Sequence, residues 1–309
     1  MRGFKTASAA IIAIGLCLPL AACGSSGSGG GSLGGGASGG GTSFVPTVAK
    51  NPQFAAGTEM AKLAKQGSIT IGTKFDQPLF GLQELGGKLT GFDVQIATII
   101  AGDLGIPANK IHWVQTPSKV RESYIEQGRV NMVVATYAIT PERRNLVTFG
   151  GPYYVAGSEI MVKAGNKQIT GPESFKHDSG LKVCAGIGSI DALGIKKYLA
   201  SSNQLVQFDD LSKCASALKQ GQVDAVAVDS ATMLGLIYKN PGAFKEVGKP
   251  FVNQPFGIGI TKGDTAFCKF INTSLQKAVA DGSYAKAWKA TAGKADPKVP
   301  ALPKLGPCS

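Results

Sequence analysis

Short apolar runs alternate with amphipathic stretches along the chain from about residue 55 onward. Ser68–Thr73 and Val130–Thr136 are runs of apolar and β-branched residues with the length and composition typical of strands. Between them, Asp93–Leu104 repeats apolar residues at intervals of three and four, which predicts a helix that ends before Gly105. Because strands that alternate with helices form parallel sheets covered by helices, this pattern predicts an α/β fold.

The same alternation continues to about residue 228. The further predicted strands are Lys110–Gln115, Lys182–Ala185, Leu205–Phe208 and Ala225–Val228. The further predicted helices are Ser118–Gln127, Asp191–Ala200 and Leu211–Gln220, with a helical turn that begins at Thr140-Pro141. Two such series, in a chain of 309 residues, predict two lobes.

The first 23 residues have the pattern of an export signal. Arg2 and Lys5 precede the apolar segment Ala7–Leu20, which is too short to span a bilayer, and two alanines then precede Cys23. This end resembles the lipobox of bacterial lipoproteins, in which the cysteine is diacylated and becomes the new N-terminus. The resemblance implies a signal peptide over residues 1–22 and a lipid on Cys23, which would hold the protein at the extracytoplasmic face of the cell membrane. A secretory signal that contains a cysteine by chance is the alternative.

Residues 24–43 contain 11 Gly, 6 Ser and no charged residue in 20 positions. Such a composition behaves as a flexible coil, with a root-mean-square reach of about 25 Å. Because it cannot bury an apolar core, we predict that residues 23–50 form a lipid-bearing tether between the membrane and a folded body.

The chain is basic, with 32 Lys and Arg residues against 20 Asp and Glu residues and a net charge of +12. This balance favours an anionic ligand or an acidic surface. The positive residues are scattered, without a run of five, and no zinc-finger or RNA-binding motif occurs. We therefore expect no nucleic-acid partner.

Six cysteines and two histidines limit the chemistry that the chain can support. Cys17 lies in the predicted signal and Cys23 in the lipobox, which leaves four cysteines, an even number that predicts two disulfides in an exported protein. These four are Cys184, Cys214, Cys268 and Cys308. The histidines lie far apart in sequence and no C-x-x-C pair occurs, so we expect neither a metal site nor a Cys–His nucleophile.

Gly186–Asp191 (GIGSID) is similar to the start of a dinucleotide-binding motif. In G-x-G-x-x-G the third position is glycine, whereas Asp191 would place a carboxylate next to the pyrophosphate, so we expect no dinucleotide cofactor. Glycines between a strand and a helix instead allow backbone N–H groups at the helix N-terminus to face an anion. No P-loop, G-x-S-x-G motif or telling pair of carboxylates occurs, so the sequence predicts neither an enzyme nor a cofactor.

Five segments follow one another in a specific order. They are Gly91-Phe92-Asp93, Ile139–Arg143 (ITPER), Phe149–Tyr154 (FGGPYY), Gly188-Ser189 and Val223–Asp229 (VDAVAVD). In this order they resemble the polar amino-acid-binding proteins of bacterial ABC importers, solute-binding protein family 3, over roughly residues 60–292. The resemblance implies a monomer that binds an amino acid and delivers it to an ABC permease and its ATPase.

That family has the type II periplasmic-binding-protein fold, an α/β fold in which two lobes, joined by two crossing hinge strands, close on a ligand between them. Tyr153–Gly157 and Val252–Phe256 match the crossing strands. The resemblance therefore implies lobe 1 over residues 51–152 plus 257–309 and lobe 2 over residues 157–250.

The lobes also suggest how the cysteines pair. Two of the four fall in each implied lobe, and bonds within a lobe leave the hinge free to close, whereas a bond between lobes would lock it. We therefore predict the disulfides Cys184–Cys214 and Cys268–Cys308.

The resemblance implies roles for four residues in holding the backbone groups of an amino acid. Arg143 matches the arginine that binds the ligand α-carboxylate, and its planar fork gives bidentate hydrogen bonds that lysine cannot copy. Asp229 matches the acid that receives the α-ammonium group. Thr136, at the end of its predicted strand, and Ser189, at the start of a predicted helix, can offer hydroxyl and backbone groups to the ligand.

Arg121 is the residue on which the prediction of an acidic ligand depends. In family members that bind aspartate or glutamate, an arginine at this place pairs with the ligand side-chain carboxylate, and Lys74 would add another positive charge. Phe80 or Phe75 resembles the ring that covers the ligand, with a core aromatic as the alternative. Ala138 departs from the family pattern, in which many members have a hydroxyl residue there. Glutamate is preferred over aspartate only because residues 74–81 (KFDQPLFG) are slightly more similar to glutamate binders.

Two other functions fit the same domain. One is a sensor of glutamine or another polar amino acid that reports to a membrane signalling kinase, and the sequence does not separate it from a transport protein. The other is a periplasmic dehydratase, since some relatives are enzymes of that kind. The presence of both Arg143 and Asp229 argues against the enzyme.

Overall fold

The computed structural model describes residues 44–308, so the predicted signal peptide, Cys23 and most of the predicted tether lie outside the described residues. In the described part, strands are β1 (Ile69–Thr73), β2 (Asp76–Gln77), β3 (Gly81–Gln83), β4 (Leu89–Thr90), β5 (Ile111–Gln115), β6 (Met132–Ala138), β7 (Thr148–Lys163), β8 (Val183–Gly186), β9 (Leu205–Phe208), β10 (Ala225–Asp229) and β11 (Phe244–Ile260). The α-helices there are α1 (Glu59–Gln66), α2 (Phe92–Asp103), α3 (Arg121–Glu126), α4 (Pro141–Leu146), α5 (Ser174–His177), α6 (Ile190–Ile195), α7 (Leu211–Gln220), α8 (Ser230–Lys239), α9 (Thr265–Ala280) and α10 (Ser283–Ala290). Among these helices, none has the length and apolar character needed to cross a membrane.

Eight strands form one sheet in the order β5-β1-β6-β11-β7-β10-β8-β9, and β2, β3 and β4 form a small separate sheet. The outer strands are parallel, as the alternating pattern predicts: β1 pairs with β5 and β6, and β8 pairs with β9 and β10. The centre differs from that prediction because β6, β11, β7 and β10 pair antiparallel. The sheet is therefore mixed, with its two parallel groups joined by a pair of long antiparallel strands.

The two predicted crossing segments lie side by side in the middle of these long strands. Tyr153–Gly157 belongs to β7 and Val252–Phe256 belongs to β11. Their register pairs Phe256 with Tyr154 and Gln254 with Ala156. The chain therefore passes twice, in opposite directions, between the two halves of the sheet.

The hydrophobic core is divided between those halves. Two clusters take their buried residues from 60–156 and 256–292, apart from Ala231, and two others take theirs from 160–244. We call the part around the first two clusters lobe 1 and the part around the other two lobe 2. Strands β6 and β10 are buried along their whole length because helices cover both of their faces.

Both ends of the described chain pack on lobe 1. Residues 44–50 fall within the predicted tether, yet they lie against α2, where Ala49 N–H donates to Gly102 O at 2.8 Å. Gly102 permits this approach, since a Cβ there would stand 2.5 Å from the carbonyl oxygen of Thr47. At the other end, Gly306 N–H donates to Gly151 O at 2.8 Å, just before the crossing part of β7.

The structure contains both disulfides that the sequence predicts. Cys184 is bonded to Cys214 within lobe 2. Cys268 of α9 is bonded to Cys308, which fixes the C-terminal tail to lobe 1. Neither bond joins the two lobes.

Candidate functional site

A narrow pocket lies where the two lobes meet. It collects five of the seven residues predicted to bind a ligand, namely Arg121, Thr136, Arg143, Ser189 and Asp229. The other lining residues are not predicted from the sequence; they are Gln77, Ser118, Ile190, Asp191, Leu211 and Gln254. The pocket is thus lined mainly by polar and charged side chains from both lobes.

Arg143 reaches the pocket from the short helix α4. Thr140 caps this helix by accepting a hydrogen bond from Arg143 N–H at 3.2 Å, and Pro141 occupies its first turn. The guanidinium group donates from Nη1 to Ala138 O at 2.9 Å and from Nη2 to Gly188 O, across the lobes, at 3.0 Å. Its Nε lies 3.1 Å from Glu122 Oε1. These contacts fix the plane of the fork, which is what bidentate recognition of a carboxylate requires.

Arg121, the first residue of α3, is only 2% exposed. Its Nε donates to Thr116 O at 3.2 Å, and its guanidinium carbon lies 5.1 Å from the centre of the Tyr137 ring. The guanidinium carbon of Arg143 lies at the same distance from that ring. Burial, and then the nearby Arg143 charge, lower the pKa of Arg121. Two buried like charges on this side of the pocket favour an anionic group placed between them.

Thr136 adopts a left-handed backbone conformation, with φ of 45°, although it lies in β6 and is not glycine. Its N–H donates to Asp93 Oδ2 at 2.8 Å, and its hydroxyl donates to Gln77 Oε1 at 3.2 Å. The Tyr153 hydroxyl donates to Asp93 Oδ1 at 2.7 Å. Burial raises the pKa of Asp93 to about 7. The buried carboxyl of Asp93 therefore holds the bend that turns Thr136 toward the pocket.

Lobe 2 contributes two residues from helix N-termini. Asp229 caps α8: its Oδ1 accepts from Thr232 N–H and its Oδ2 from the Thr232 hydroxyl, both at 2.8 Å. Burial raises the pKa of this carboxyl. Ser189 caps α6, where its Oγ accepts from Ala192 N–H at 3.0 Å. Both side chains are thus fixed by their own helix before any ligand arrives.

Asp191 is a second lobe 2 carboxyl in the pocket, and it is 3% exposed. Its Oδ1 accepts from Ser158 Oγ and from Gln254 Nε2, both at 2.6 Å. Burial, and then the neighbouring Asp229 charge, raise the pKa of Asp191 to about 7. Its one signal in the sequence is that Asp191 replaces the third glycine of the apparent dinucleotide motif.

Two predicted ligand residues do not line the pocket. Lys74 is buried and its Nζ lies 3.0 Å from Asp76 Oδ1, so its charge is already paired. Phe80 is fully buried in the lobe 1 core, where its ring packs edge-on against Phe92 and Trp288. It therefore has the core role that the sequence left open, while Phe75 lines a separate surface groove.

The lobes contact each other around the pocket. Besides the bond from Arg143 to Gly188, Lys119 Nζ lies 2.7 Å from Asp209 Oδ1 and Gln115 Nε2 donates to Asp210 Oδ1 at 3.3 Å. Among residues 44–308, no group of three or more His, Cys, Asp and Glu side chains is arranged to hold a metal ion. The arrangement offers two buried guanidinium groups to carboxylates and the carboxyl of Asp229 to an ammonium group.

Comparison with known proteins gives consistent matches. The sequence profile of the bacterial extracellular solute-binding proteins, family 3, matches residues 69–291. The glutamate-binding protein GluB of Corynebacterium efficiens is 38% identical over 237 residues, which cover 74% of this chain and 80% of that protein. The glutamine-binding protein GlnH of Bacillus subtilis is 33% identical over 286 residues, which cover 92% of this chain and 96% of that protein. Among solved structures, an ancestral arginine-binding protein bound to glutamine matches with a TM-score of 0.67 at 33% identity, covering 75% of this chain and 99% of that one.

Proposed function

Since the chain belongs to the bacterial extracellular solute-binding proteins of family 3 and has their type II periplasmic-binding-protein fold, we propose that it captures an acidic amino acid for an ABC importer. Glutamate is the proposed ligand and aspartate the second choice. The ligand would lie between the lobes, and closure of the lobes would follow from its higher affinity for the closed form.

The observation that carries this proposal is the set of charges around one pocket. Arg143 is suited to the α-carboxylate, Asp229 to the α-ammonium group and Arg121 to a second carboxylate on the side chain. A glutamine ligand would leave Arg121, a buried cation, facing a neutral amide. The relatives named above bind glutamate in one case and glutamine in the other, so the argument for an acidic ligand depends on Arg121.

The proposal includes the predicted attachment and partners. Residues 1–22 would be removed as a signal peptide, Cys23 would carry the lipid, and the folded body would work as a monomer beside a permease and its ATPase. The lobes would be residues 51–152 plus 257–309 and residues 157–250. We propose binding rather than catalysis because Arg143 and Asp229 are suited to the two groups that every free amino acid carries. A sensor that reports to a membrane kinase would use the same pocket.

Isothermal titration calorimetry against glutamate, aspartate, glutamine, asparagine, arginine and histidine tests the ligand. We expect glutamate to bind most tightly. Only glutamate and aspartate in this panel have two carboxylates, and the resemblance favours the longer side chain of glutamate. A preference for glutamine would contradict the acidic ligand and leave an amino-acid-binding protein.

The lipid anchor has its own test: Cys23→Ala should release the protein from membranes, and a variant that stays bound at high salt would contradict it.

A further inference from the structure

The pocket contains one carboxyl more than the proposed ligand contacts require, which is that of Asp191. We propose that Asp191 is a specificity residue, and that the protein takes up a proton on this side chain when it binds glutamate but not when it binds glutamine. This inference rests on the proposed function, because it concerns how the same pocket treats an acidic and a neutral ligand.

The position of Asp191 carries the first part of the argument. Asp191 and Asp229 both line the lobe 2 side of the pocket. Ser158 lies between them, because it is the register partner of Asp229 in the β7–β10 pair and its hydroxyl donates to Asp191 Oδ1 at 2.6 Å. Gln254 donates to the same oxygen. Among the residues that the structure describes, both side chains that donate to this carboxyl use Oδ1, and Asp191 lines the pocket.

The charge balance carries the second part. Arg121 and Arg143 bring two positive charges, whereas Glu122, Asp229 and an ionised Asp191 bring three negative ones, so the free pocket has a net charge of −1. Bound glutamate, itself −1, would bring the total to −2 in a site shielded from water. Protonation of Asp191 returns the total to −1, which is the value that a glutamine complex has with Asp191 ionised. An acidic ligand therefore favours the neutral form of Asp191 more strongly than its amide does.

Asp229 accepts two hydrogen bonds from Thr232 at the N-terminus of α8 and would contact the ligand ammonium group, so it stays ionised in the complex and Asp191 is the carboxyl that responds. Of the elements packed against α6, β10 brings Asp229 and β11 brings the neutral Gln254. In β7, Glu159 follows Ser158 and so points to the opposite face of the sheet. Strand β8 brings only the disulfide-bonded Cys184, and the 3₁₀ turn after α6 brings the exposed Lys196 and Lys197. Across the pocket stand Arg121 and Arg143.

The pH range is accessible to experiment. Burial and the Asp229 charge raise the pKa of Asp191 to about 7, so near pH 7.5 the free protein has this carboxyl mostly ionised. Asp93 and Glu159 also have a pKa raised to about 7, chiefly by burial, but neither lines the pocket. Both interact with the Asp229 charge, and Asp93 interacts with Arg121 as well, so the Asp191→Asn variant is needed to separate the contribution of Asp191 from theirs.

The test is titration calorimetry of the mature chain with glutamate and with glutamine, in buffers of different ionisation enthalpy, from about pH 5.5 to about pH 8.5. We expect glutamate to take up as much as about one proton more than glutamine above pH 7. The ratio of the two affinities should then fall by as much as about tenfold per pH unit in that range. In Asp191→Asn, whose amide oxygen can still accept from Ser158 and Gln254, the extra proton uptake and the pH dependence of the ratio should vanish. Glu159→Gln is the matched control and should retain both.

Carbon-13 NMR of the Asp191 carboxyl in the wild type gives a second reading that does not depend on a variant. Its pKa should be higher in the glutamate complex than in the glutamine complex. Equal proton uptake with the two ligands, or an unchanged ratio profile in Asp191→Asn, would overturn this inference alone. Absence of glutamate binding at every pH would overturn the proposed ligand, and the inference with it.

Discussion

Replacing Arg121 by methionine removes one of the two buried positive charges of the pocket while keeping a side chain of similar length. Arg121 is 2% exposed and its guanidinium group makes one hydrogen bond, from Nε to Thr116 O, so most of its donors remain for a ligand. Loss of one partner from a buried charge pair costs about 2–5 kcal/mol. The dissociation constant for glutamate should therefore rise by about 30-fold to 5,000-fold.

Glutamine should respond differently to the same change. Its side-chain amide forms no ion pair with Arg121, so its affinity should change by less than about threefold. The free protein should not lose stability either, because burial and the Arg143 charge lower the pKa of Arg121 and thus disfavour its charged form in the folded state. Calorimetry with both ligands measures the affinities, and differential scanning calorimetry measures the melting temperature.

The matched control is Arg129→Met. Arg129 is an exposed residue just beyond α3 that does not line the pocket. Its guanidinium carbon lies 3.9 Å from the centre of the Tyr124 ring. The Arg129→Met variant removes one positive charge near α3 but outside the pocket. Because an exposed charge contributes little, the affinities for glutamate and glutamine should both stay within about twofold of wild type. If Arg121→Met weakened glutamate and glutamine equally, or if Arg129→Met reproduced its effect, the assignment of Arg121 to the ligand side chain would be refuted.

Three further predictions concern the backbone site, the tail and pH. Asp229→Asn can still cap α8, so it should weaken every amino acid by about 2–5 kcal/mol in calorimetry with little change in melting temperature; selective loss of one ligand would contradict this. Replacing Cys268 and Cys308 together by serine opens a 40-residue loop and should lower the free energy of unfolding by about 4 kcal/mol in urea titration, with ligand affinity unchanged, and an equal stability would contradict the role of the bond. The pKa of Asp93 is raised from its ordinary value near 3.8 to about 7, so folding favours its neutral form. The free energy of unfolding should therefore fall as pH rises from about 4 to about 7. Asp93→Asn should reduce that slope, and an unchanged slope would contradict the prediction.

Local patterns in the sequence predict the regular elements well where each is bounded by clear signals. Strand β9 and helix α7 begin and end at the predicted residues, and α7 is followed by Gly221, which has the left-handed conformation typical of a helix C-cap. The β2–β4 sheet was not predicted, because strands of two or three residues carry too little periodicity. Helices α8, α9 and α10 were also missed, since the prediction followed the alternation only to residue 228.

The candidate site shows what depends on tertiary structure. Arg121, Arg143 and Asp229 could be proposed because charged residues at those positions match a family pattern. Gln254 could not, since whether a residue of a crossing strand faces the pocket depends on the register of that strand with β7. Phe80 illustrates the converse, because an aromatic residue near a site has the same sequence signal whether it covers a ligand or fills the core.

The attachment of both ends of the described segment, residues 44–308, to lobe 1 decides how a motion of the lobes could be observed. Residues 44–50 lie on α2, and Cys308 is bonded to Cys268 of α9, which packs on the same core. A pair of fluorescent labels near residue 50 and near Cys308 would therefore report a constant separation in an open and a closed form. One dye must be placed on lobe 2, for example at the exposed Lys197, for energy transfer to follow closure. In a cell, the same geometry means that a pull on residues 44–50 or on Cys308 would be borne by lobe 1 and not by lobe 2.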